Sequence, residues 1–233
     1  MNPVYDVVRD LITDVEKTQQ ENIEAAAVAC AKAIENGGIL QAFGSGHSEA
    51  GAMEVAHRAG GFIPTKKILE PARGAYEGIE GVGTSFMKKV DIRENDVLVL
   101  ISNSGRNPLA IEMAIEAKKK GAKIVVITSM ASTTVLPSKH SSGKNLYQYG
   151  DVVIDNCVKE GDAMISLDGL DTEICGMSAI TTAMIIQAAV LKAAELLLAE
   201  GIVPPVFKSQ NIIGGAEYND KLVAKYFDRM YHI

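Results

Sequence analysis

The residues best suited to chemistry form a short polar loop between a buried apolar run and a helix. The loop reads Ser102-Asn103-Ser104-Gly105-Arg106-Asn107. Unpaired backbone N–H groups and the positive end of the helix dipole favour an anion at a helix N-terminus. The hydroxyls of Ser102 and Ser104 and the amides of Asn103 and Asn107 add hydrogen-bonding groups. The loop predicts a phosphate site, although Ser, Asn and Gly also collect in ordinary turns.

A second loop of the same type lies earlier in the chain and reads Gly44-Ser45-Gly46-His47-Ser48. It too follows an apolar run, at residues 39–43, and opens a helical segment. In an open α/β sheet, ligands lie beyond the carboxyl ends of the strands. Two such loops at one sheet edge are better explained by a ligand site than by two unrelated turns. Ser45 and Ser48 are the expected ligand contacts from this loop.

The 44–48 loop also invites comparison with the dinucleotide-binding fingerprint. Gly44 and Gly46 have the required spacing, and Glu70 lies where a ribose-binding acid would fall. The third glycine is replaced by Glu49, whose carboxylate would repel a pyrophosphate. Dinucleotide binding is therefore a minor alternative. The loop is not a P-loop either, because no Gly-Lys-Ser/Thr follows at the required spacing. We expect no cofactor.

The segment after Ser48 is predicted to be helical through Ala59, and it carries a carboxylate and an imidazole three residues apart, Glu54 and His57. On a helix this spacing places both side chains on one face, and such a pair can transfer protons near neutral pH. We take Glu54 as the candidate base and His57 as the candidate acid. The alternative is a solvated ion pair between Glu54 and Arg58, with His57 as an ordinary surface residue.

Four further polar residues are candidate ligand contacts: Ser129, Glu173, Ser209 and Asn211. Ser129 ends an apolar run, where its hydroxyl either reaches the ligand or starts a turn. Glu173 precedes a long uncharged segment, either as a partner of a helix N-terminus or as a site carboxylate. Ser209 and Asn211 form a polar island in an apolar tail, which could contact a ligand held by a neighbouring subunit.

The elements that position these loops follow from the apolar pattern. Buried parallel strands are predicted at residues 39–43, 97–101, 124–128 and 152–154, with a further strand at 63–70. Helices are predicted at residues 3–35, 108–120, 174–198 and 216–230. Residues 71–83 are predicted to form a Gly-rich loop that lines a site. Strand-helix-strand order with short crossovers predicts right-handed parallel units and an α/β sandwich.

Composition restricts the class of protein. A chain of 233 residues with 47% hydrophobic content can bury a large core, so one domain is expected. The net charge of −6 gives no basic surface for nucleic acid or an anionic membrane. Cys30, Cys157 and Cys175 form no C-x-x-C pair, so we expect neither a disulfide framework nor a metal site, in keeping with the reduced cytoplasm.

One segment has the apolar length of a membrane span, because residues 174–191 are uncharged for 18 positions. The segment contains Ser178, Thr181 and Gln187 and continues with helical spacing into Lys192 and Glu195. We interpret it as a helix buried in the protein or at a subunit interface. The N-terminal residues 1–9 lack the apolar core of a signal peptide, so a cytoplasmic location is expected.

The two loops, their flanking strands and the run at residues 123–128 together resemble the SIS (sugar isomerase) domain family. The resemblance covers about residues 38–195, and the tail at residues 206–215 is similar to a poorly characterised bacterial subfamily related to phosphoheptose isomerases. It implies a three-layer α/β sandwich with a five-stranded parallel, flavodoxin-like sheet. It also implies a single SIS domain over residues 1–233, with an N-terminal helix at 1–36, an α/β core at 38–200 and a C-terminal tail and helix at 201–233. A homodimer or homotetramer is expected, with ligand held at subunit edges.

The resemblance also implies roles for individual residues. Ser102 and Ser104 match the phosphate-binding serines of the family, a further serine is replaced here by Asn107, and Ser48 matches a position that contacts the sugar. Phosphoheptose isomerases use a Glu on the helix after the first loop, to which Glu54 and His57 are the nearest matches. They also use a His on the late helix, and residues 174–198 contain none.

These observations predict a protein that binds a phosphorylated sugar or sugar derivative. The expected chemistry is aldose–ketose isomerisation or a related reaction beside the carbonyl, without a metal. The alternative from another class is a noncatalytic phosphosugar sensor or binding module.

Overall fold

The computed structural model describes residues 2–231, so residues 1, 232 and 233 of the predicted domain lie outside the described part. Its centre is a five-stranded parallel sheet with strand order β2-β1-β3-β4-β5. The strands are β1 (Leu40–Gly44), β2 (Thr65–Lys67), β3 (Val97–Ile101), β4 (Lys123–Thr128) and β5 (Val152–Asp155). This order is the flavodoxin-like one and confirms the predicted fold class.

Seven helices surround the sheet in the described residues: α1 (Pro3–Glu35), α2 (Glu49–Val55), α3 (Val82–Met87), α4 (Pro108–Lys119), α5 (Met130–Thr133), α6 (Ser178–Ala199) and α7 (Gly215–Tyr231). A small antiparallel hairpin, β6 (Ala163–Ile165) with β7 (Ile174–Gly176), precedes α6. The predicted bounds of α1, α4 and α7 agree with the structure to within one residue.

The strands alternate their side chains between two hydrophobic cores, as the pleat of a sheet requires. Val99 and Ile127 lie in the core that α1 and α6 cover, whereas Leu100 and Val126 lie in the core that α3 and α4 cover. Both faces of the sheet are therefore buried by helices. This explains why the strands read as continuous apolar runs in the sequence.

Helix α2 is shorter than the helical pattern predicted. It ends at Val55, after which Ala56 is extended and His57 has a left-handed φ of 56°. The backbone N–H of His57 donates to Thr65 Oγ1 at 3.3 Å, so a contact with β2 directs the turn out of the helix. The prediction that His57 and Arg58 continue the helix is wrong.

Helix α6 begins later than predicted. Residues Ile174–Gly176 form β7, and Asp162 Oδ1 accepts hydrogen bonds from the backbone N–H groups of Met177 at 3.1 Å and Ser178 at 2.7 Å. The helix is long and apolar enough to cross a membrane, with a mean hydropathy of 1.6. Its buried residues, among them Ile185 and Ile186, pack in the same core as α1, but only 28% of its apolar stretch is buried.

The C-terminal tail packs against the β2 side of the sheet. Val206 forms an antiparallel bridge with Phe62, and Tyr226 and Met230 of α7 pack against Ile63. Arg229 donates to buried Asp96 at 2.7 Å, which links α7 to the start of β3 at the amino edge. The tail is thereby held at the β2 side of the sheet.

Candidate functional site

Parallel strands bring the 44–48 loop and the 102–107 loop together at the carboxyl edge of the sheet. Gly44 at the end of β1 pairs in register with Ile101 at the end of β3. The two loops therefore leave the sheet side by side, as the sequence predicted, and each leads into a helix.

Backbone geometry shapes the 102–107 loop. Gly105 has a left-handed φ of 61°, and its N–H donates to Ser102 Oγ at 3.2 Å. Thr128 Oγ1 of β4 donates to the Ser102 carbonyl at 2.7 Å. These bonds leave the Ser102 hydroxyl hydrogen free to donate to a ligand.

Asn107 occupies the N-cap position of α4, but its side chain makes no capping hydrogen bond. Its Oδ1 is buried and has no hydrogen-bond partner among the residues that the structure describes. A buried polar atom without a partner costs free energy, on the order of 1–3 kcal/mol. Asn107 therefore presents an amide oxygen that a ligand in the adjacent cavity can satisfy.

Ser45 presents a second buried oxygen of this kind. Its Oγ has no hydrogen-bond partner within residues 2–231. Gly74 covers it so closely that a Cβ on Gly74 would lie 2.1 Å from Ser45 Oγ. The Gly-rich segment at residues 71–80 therefore closes over the 44–48 loop, which agrees with the prediction that this segment lines a site.

Two small cavities share Phe43 and Ser45, and we call them together the Ser45 crevice. Its polar lining beyond Ser45 consists of Glu49, Glu70, Arg73, Glu77, Ser102 and Asn107. The crevice thus combines residues from both loops with residues from the Gly-rich segment. Its lining is about half polar and half apolar, and it lies next to the N-terminus of α4.

Two other cavities lie elsewhere and lack these loops. One is lined by core side chains such as Cys30 and Ile185, between the sheet and helices α1 and α6. The other lies at the amino edge of the sheet beside Lys32 and Lys123. We place the candidate site at the Ser45 crevice because ligands of such sheets bind at the carboxyl edge.

Ser48 and Asn103 line a separate small cavity together with His47, Asn156 and Thr182. Asn103 Oδ1 accepts a hydrogen bond from the amide of Asn156, which is 2% exposed, at 2.8 Å. Asn103 is therefore held by the residue that follows β5 as well as by its own loop. The structure brings Ser48 and Asn103 to the same edge as the crevice, but neither they nor half-buried Ser104 belong to its described lining.

The charges in the crevice are partly paired. Lys67 Nζ donates to Glu49 Oε1 at 2.7 Å, and this bond and its charge, together with the charge of Arg73, hold the pKa of Glu49 below its ordinary value. Glu49 is therefore a negatively charged carboxylate at neutral pH. It occupies the position that is glycine in a dinucleotide fingerprint. This weakens the dinucleotide alternative.

The predicted acid–base pair does not share a helical face. Glu54 accepts hydrogen bonds from Arg58 and, at 2.6 Å, from Gln187 Nε2 of α6. His57 lies beyond the end of α2, and its ring centroid is 6.2 Å from those of both Phe207 and Tyr231. Burial lowers the pKa of His57. Neither residue belongs to the described lining of the Ser45 crevice.

Ser129 and Glu173 have structural partners. The Ser129 hydroxyl is buried, donates to the Val158 carbonyl at 2.6 Å and caps α5. Glu173 lies beside the β6–β7 hairpin, where a hydrogen bond from Lys159 lowers the pKa of its carboxyl. The carboxylate at the N-terminus of α6 is Asp162, which the sequence reading missed because Asp162 lies 16 residues before Ser178.

Ser209 and Asn211 lie in a turn before α7, where the N–H of Asn211 donates to Ser209 Oγ at 3.2 Å. Neighbouring Ile213 is fully exposed, at 106%. The structure does not bring this turn into the described lining of the crevice. A contact with the ligand of a neighbouring subunit stays a prediction.

The crevice contains two charged residues that the sequence reading did not assign, Arg73 and Glu77. The only signal for them was the Gly-rich composition of their segment. The residues that could hold a cofactor are those of the two loops, and the described chain has no cluster of three or more His, Cys, Asp or Glu residues suited to a metal ion.

Comparisons with known proteins agree with this architecture. The family model described as the SIS domain matches residues 5–129. A UPF0309 protein of Listeria monocytogenes is 47% identical over 229 residues, covering 98% of both chains. Among solved structures, a phosphoheptose isomerase from Francisella tularensis has a TM-score of 0.59 at 15% identity and covers 83% of this chain and 96% of that one. Another, from Neisseria gonorrhoeae, has a TM-score of 0.57 at 16% identity, covering 82% and 95%.

Proposed function

Because the chain belongs to the SIS-domain family, we propose that it binds a phosphorylated sugar or sugar derivative in the Ser45 crevice and interconverts its aldose and ketose forms. The observation that carries the proposal is the pair of buried oxygens without partners, Ser45 Oγ and Asn107 Oδ1, on residues that line one crevice. Phosphorylated sugars present both acceptors and donors, so they suit a hydroxyl and an amide together.

The phosphate is assigned to the 102–107 loop. Ser102 and Ser104 supply hydroxyl donors, and Asn107 supplies an amide that donates through Nδ2 and accepts through Oδ1. The first turn of α4 adds its dipole, which favours a negative charge. Ser45 and Ser48 are assigned to the sugar, since the 44–48 loop lies beside the 102–107 loop at the same edge.

Isomerisation in this site requires moving a proton between adjacent carbons through an enediol, and stabilising the oxygen on which charge develops. The sequence assigns these steps to Glu54 and His57. That assignment stays a prediction, with weaker support than the phosphate loop because α2 ends before His57. This same observation favours the second candidate function, a binding module that holds the phosphosugar without converting it.

We further propose that the protein is a cytoplasmic homodimer or homotetramer in which each chain forms one SIS domain. Support comes from α6, which buries one side in the core yet leaves Leu191 64% exposed and Leu198 60% exposed. Apolar surface of this kind is commonly covered by another chain. Light scattering coupled to gel filtration tests the proposal, and a mass of one chain would contradict it.

The experiment that tests the function has two stages. A panel of aldose and ketose phosphates, each beside its unphosphorylated parent, is first screened for stabilisation of the protein against heat. Each binder is then incubated in deuterated water and followed by NMR. We expect deuterium beside the carbonyl and formation of the isomer. Stabilisation with no exchange for any binder would favour the module, and stabilisation by no phosphosugar would reject the site.

A further inference from the structure

Three residues with carboxylate side chains line the Ser45 crevice, and two of these side chains are engaged. Glu49 is paired with Lys67. Glu70 accepts hydrogen bonds from the backbone N–H groups of Ala72 at 2.7 Å and Gly74 at 2.8 Å, so it shapes the turn. The Glu77 carboxylate has no hydrogen bond or ion pair with any residue in the described range, 2–231.

The backbone of Glu77 is fixed although its carboxylate is free. Its N–H donates to the Gly74 carbonyl at 3.0 Å, and its carbonyl accepts from the N–H of Leu109 at 3.1 Å. Leu109 lies in the first turn of α4, two residues after Asn107. Glu77 is therefore held beside the end of α4 that the proposed function assigns to phosphate, and it is half-buried there.

We infer that Glu77 is the base that moves the proton in the proposed isomerisation, an assignment that rests on the proposed function. A carboxylate without a competing cation or donor is available to a C–H group in a way that Glu49 and Glu70 are not. Glu54 is less suited, because Arg58 and Gln187 already donate to its carboxylate.

The reaction assigned to Glu77 is balanced without a co-reactant. The carboxylate removes the proton from the carbon beside the sugar carbonyl, and the electron pair of that C–H bond forms the C=C bond of an enediolate while the carbonyl electrons move to oxygen. The Ser45 hydroxyl, which lacks a partner, donates a hydrogen bond to that oxygen. The substrate's own hydroxyl on the adjacent carbon gives its proton to that oxygen, which moves the negative charge to the second oxygen of the enediolate. As the second oxygen forms the new C=O bond, the C=C electron pair takes the proton back from the Glu77 carboxyl at the former carbonyl carbon, and the isomer results.

Arg73 gives this segment a charge opposite to that of the ligand. It lines the crevice on the same Gly-rich segment as Glu77 and acts on Glu49 through its charge. A cation there offsets the repulsion between the Glu77 carboxylate and an incoming sugar phosphate, since opposite charges near a surface attract over several ångströms. The segment therefore supplies both a base and a compensating charge.

The test compares Glu77→Gln with two other variants, using a sugar phosphate that the wild-type protein binds and exchanges. Glu80→Gln is the matched control on the same segment, because the Glu80 carboxylate is engaged by the N–H of Ser141. Glu54→Gln is the rival arm. Affinity is measured by calorimetry, and proton transfer by the rate at which solvent deuterium enters beside the carbonyl.

We expect Glu77→Gln to bind with unchanged or slightly higher affinity and to lose about 100-fold or more in exchange, the usual contribution of a general base. Glu77→Asp should recover part of the rate, and Glu80→Gln should match the wild type. Full exchange in Glu77→Gln, or a greater loss of exchange rate in Glu54→Gln than in Glu77→Gln, would overturn the assignment of Glu77. Neither result would overturn the proposed isomerase activity. If the preceding screen finds no sugar phosphate that the wild type both binds and exchanges, the isomerase activity and the assignment of Glu77 are overturned together. The two failures are thus distinguished.

Discussion

Gly105 lies directly against Thr133: a Cβ built on Gly105 would be 2.6 Å from Thr133 Oγ1. The same glycine has a φ of 61°, in the region where other residues are strained. Two independent constraints therefore fix glycine in the middle of the 102–107 loop.

Gly105→Ala should lower the free energy of unfolding by about 1–3 kcal/mol from the backbone conformation, with a further loss from the clash. Urea denaturation measures the change. Adding Thr133→Ala should recover the loss from the clash but not the loss from the backbone. Gly78→Ala is the control, because its Cβ meets open space. Equal stability of Gly105→Ala and wild type would contradict the geometry of the loop.

Removing the Ser45 hydroxyl should affect ligand binding and stability in different ways. Its oxygen is buried without a partner, so Ser45→Ala should leave the unfolding free energy unchanged or slightly higher, since a buried polar group without a bond is costly. The affinity for a sugar phosphate should fall about tenfold, or roughly 1.4 kcal/mol, the order expected for one hydrogen bond.

Ser129→Ala serves as the contrast to Ser45→Ala. The Ser129 hydroxyl donates to the Val158 carbonyl at 2.6 Å, so its removal should destabilise the chain by about 1–2 kcal/mol and leave affinity for the sugar phosphate near that of the wild type. A stability loss in Ser45→Ala as large as that in Ser129→Ala would show that the Ser45 hydroxyl has a structural partner.

Asp162 should be the residue that stabilises the start of α6. Asp162→Ala removes the acceptor of the Met177 and Ser178 N–H groups, and loss of a helix cap costs about 0.5–2 kcal/mol. Chemical denaturation followed by circular dichroism measures the loss. Asp171→Ala, an exposed position in the same region, should have no effect. If both variants lose the same amount, the cap assignment is wrong.

Cys30 should be inert towards thiol reagents in the native protein. Burial raises the pKa of its thiol to about 12, and the thiolate is the reactive form, so almost none is present at about pH 8. Alkylation followed by peptide mass spectrometry should find Cys30 unmodified until the chain is unfolded, and half-buried Cys175 modified first. Early modification of Cys30 would contradict its place in the core.

The sequence predicted those elements whose signals are local. β3 and α4 agree closely with the prediction because each follows from neighbouring residues: β3 from an apolar run, and α4 from a helical pattern that starts at Asn107-Pro108. α2 and α6 differ because their ends depend on distant contacts. The turn at His57 bonds to Thr65, and the start of α6 bonds to Asp162. No local pattern carries that information.

The residues of the candidate site also divide into those with local sequence signals and those placed by distant contacts. The two loops were predictable because strand, loop and helix are continuous in the sequence. Glu77 was not, because it reaches the site through a bond between its carbonyl and the N–H of Leu109, 32 residues later. Helical spacing suggested the pair of Glu54 and His57, and the structure ends the helix between them.

The measurement that tests the central claim most directly is the affinity of one sugar with and without its phosphate, for the wild type and for Ser104→Ala. If the 102–107 loop binds the phosphate, Ser104→Ala should weaken the phosphorylated sugar about tenfold or more, as expected for a hydrogen bond to a charged group, and leave the unphosphorylated sugar nearly unchanged. Ser85→Ala, at an exposed position on α3, is the control. An equal loss of affinity for both forms of the sugar would contradict the phosphate assignment.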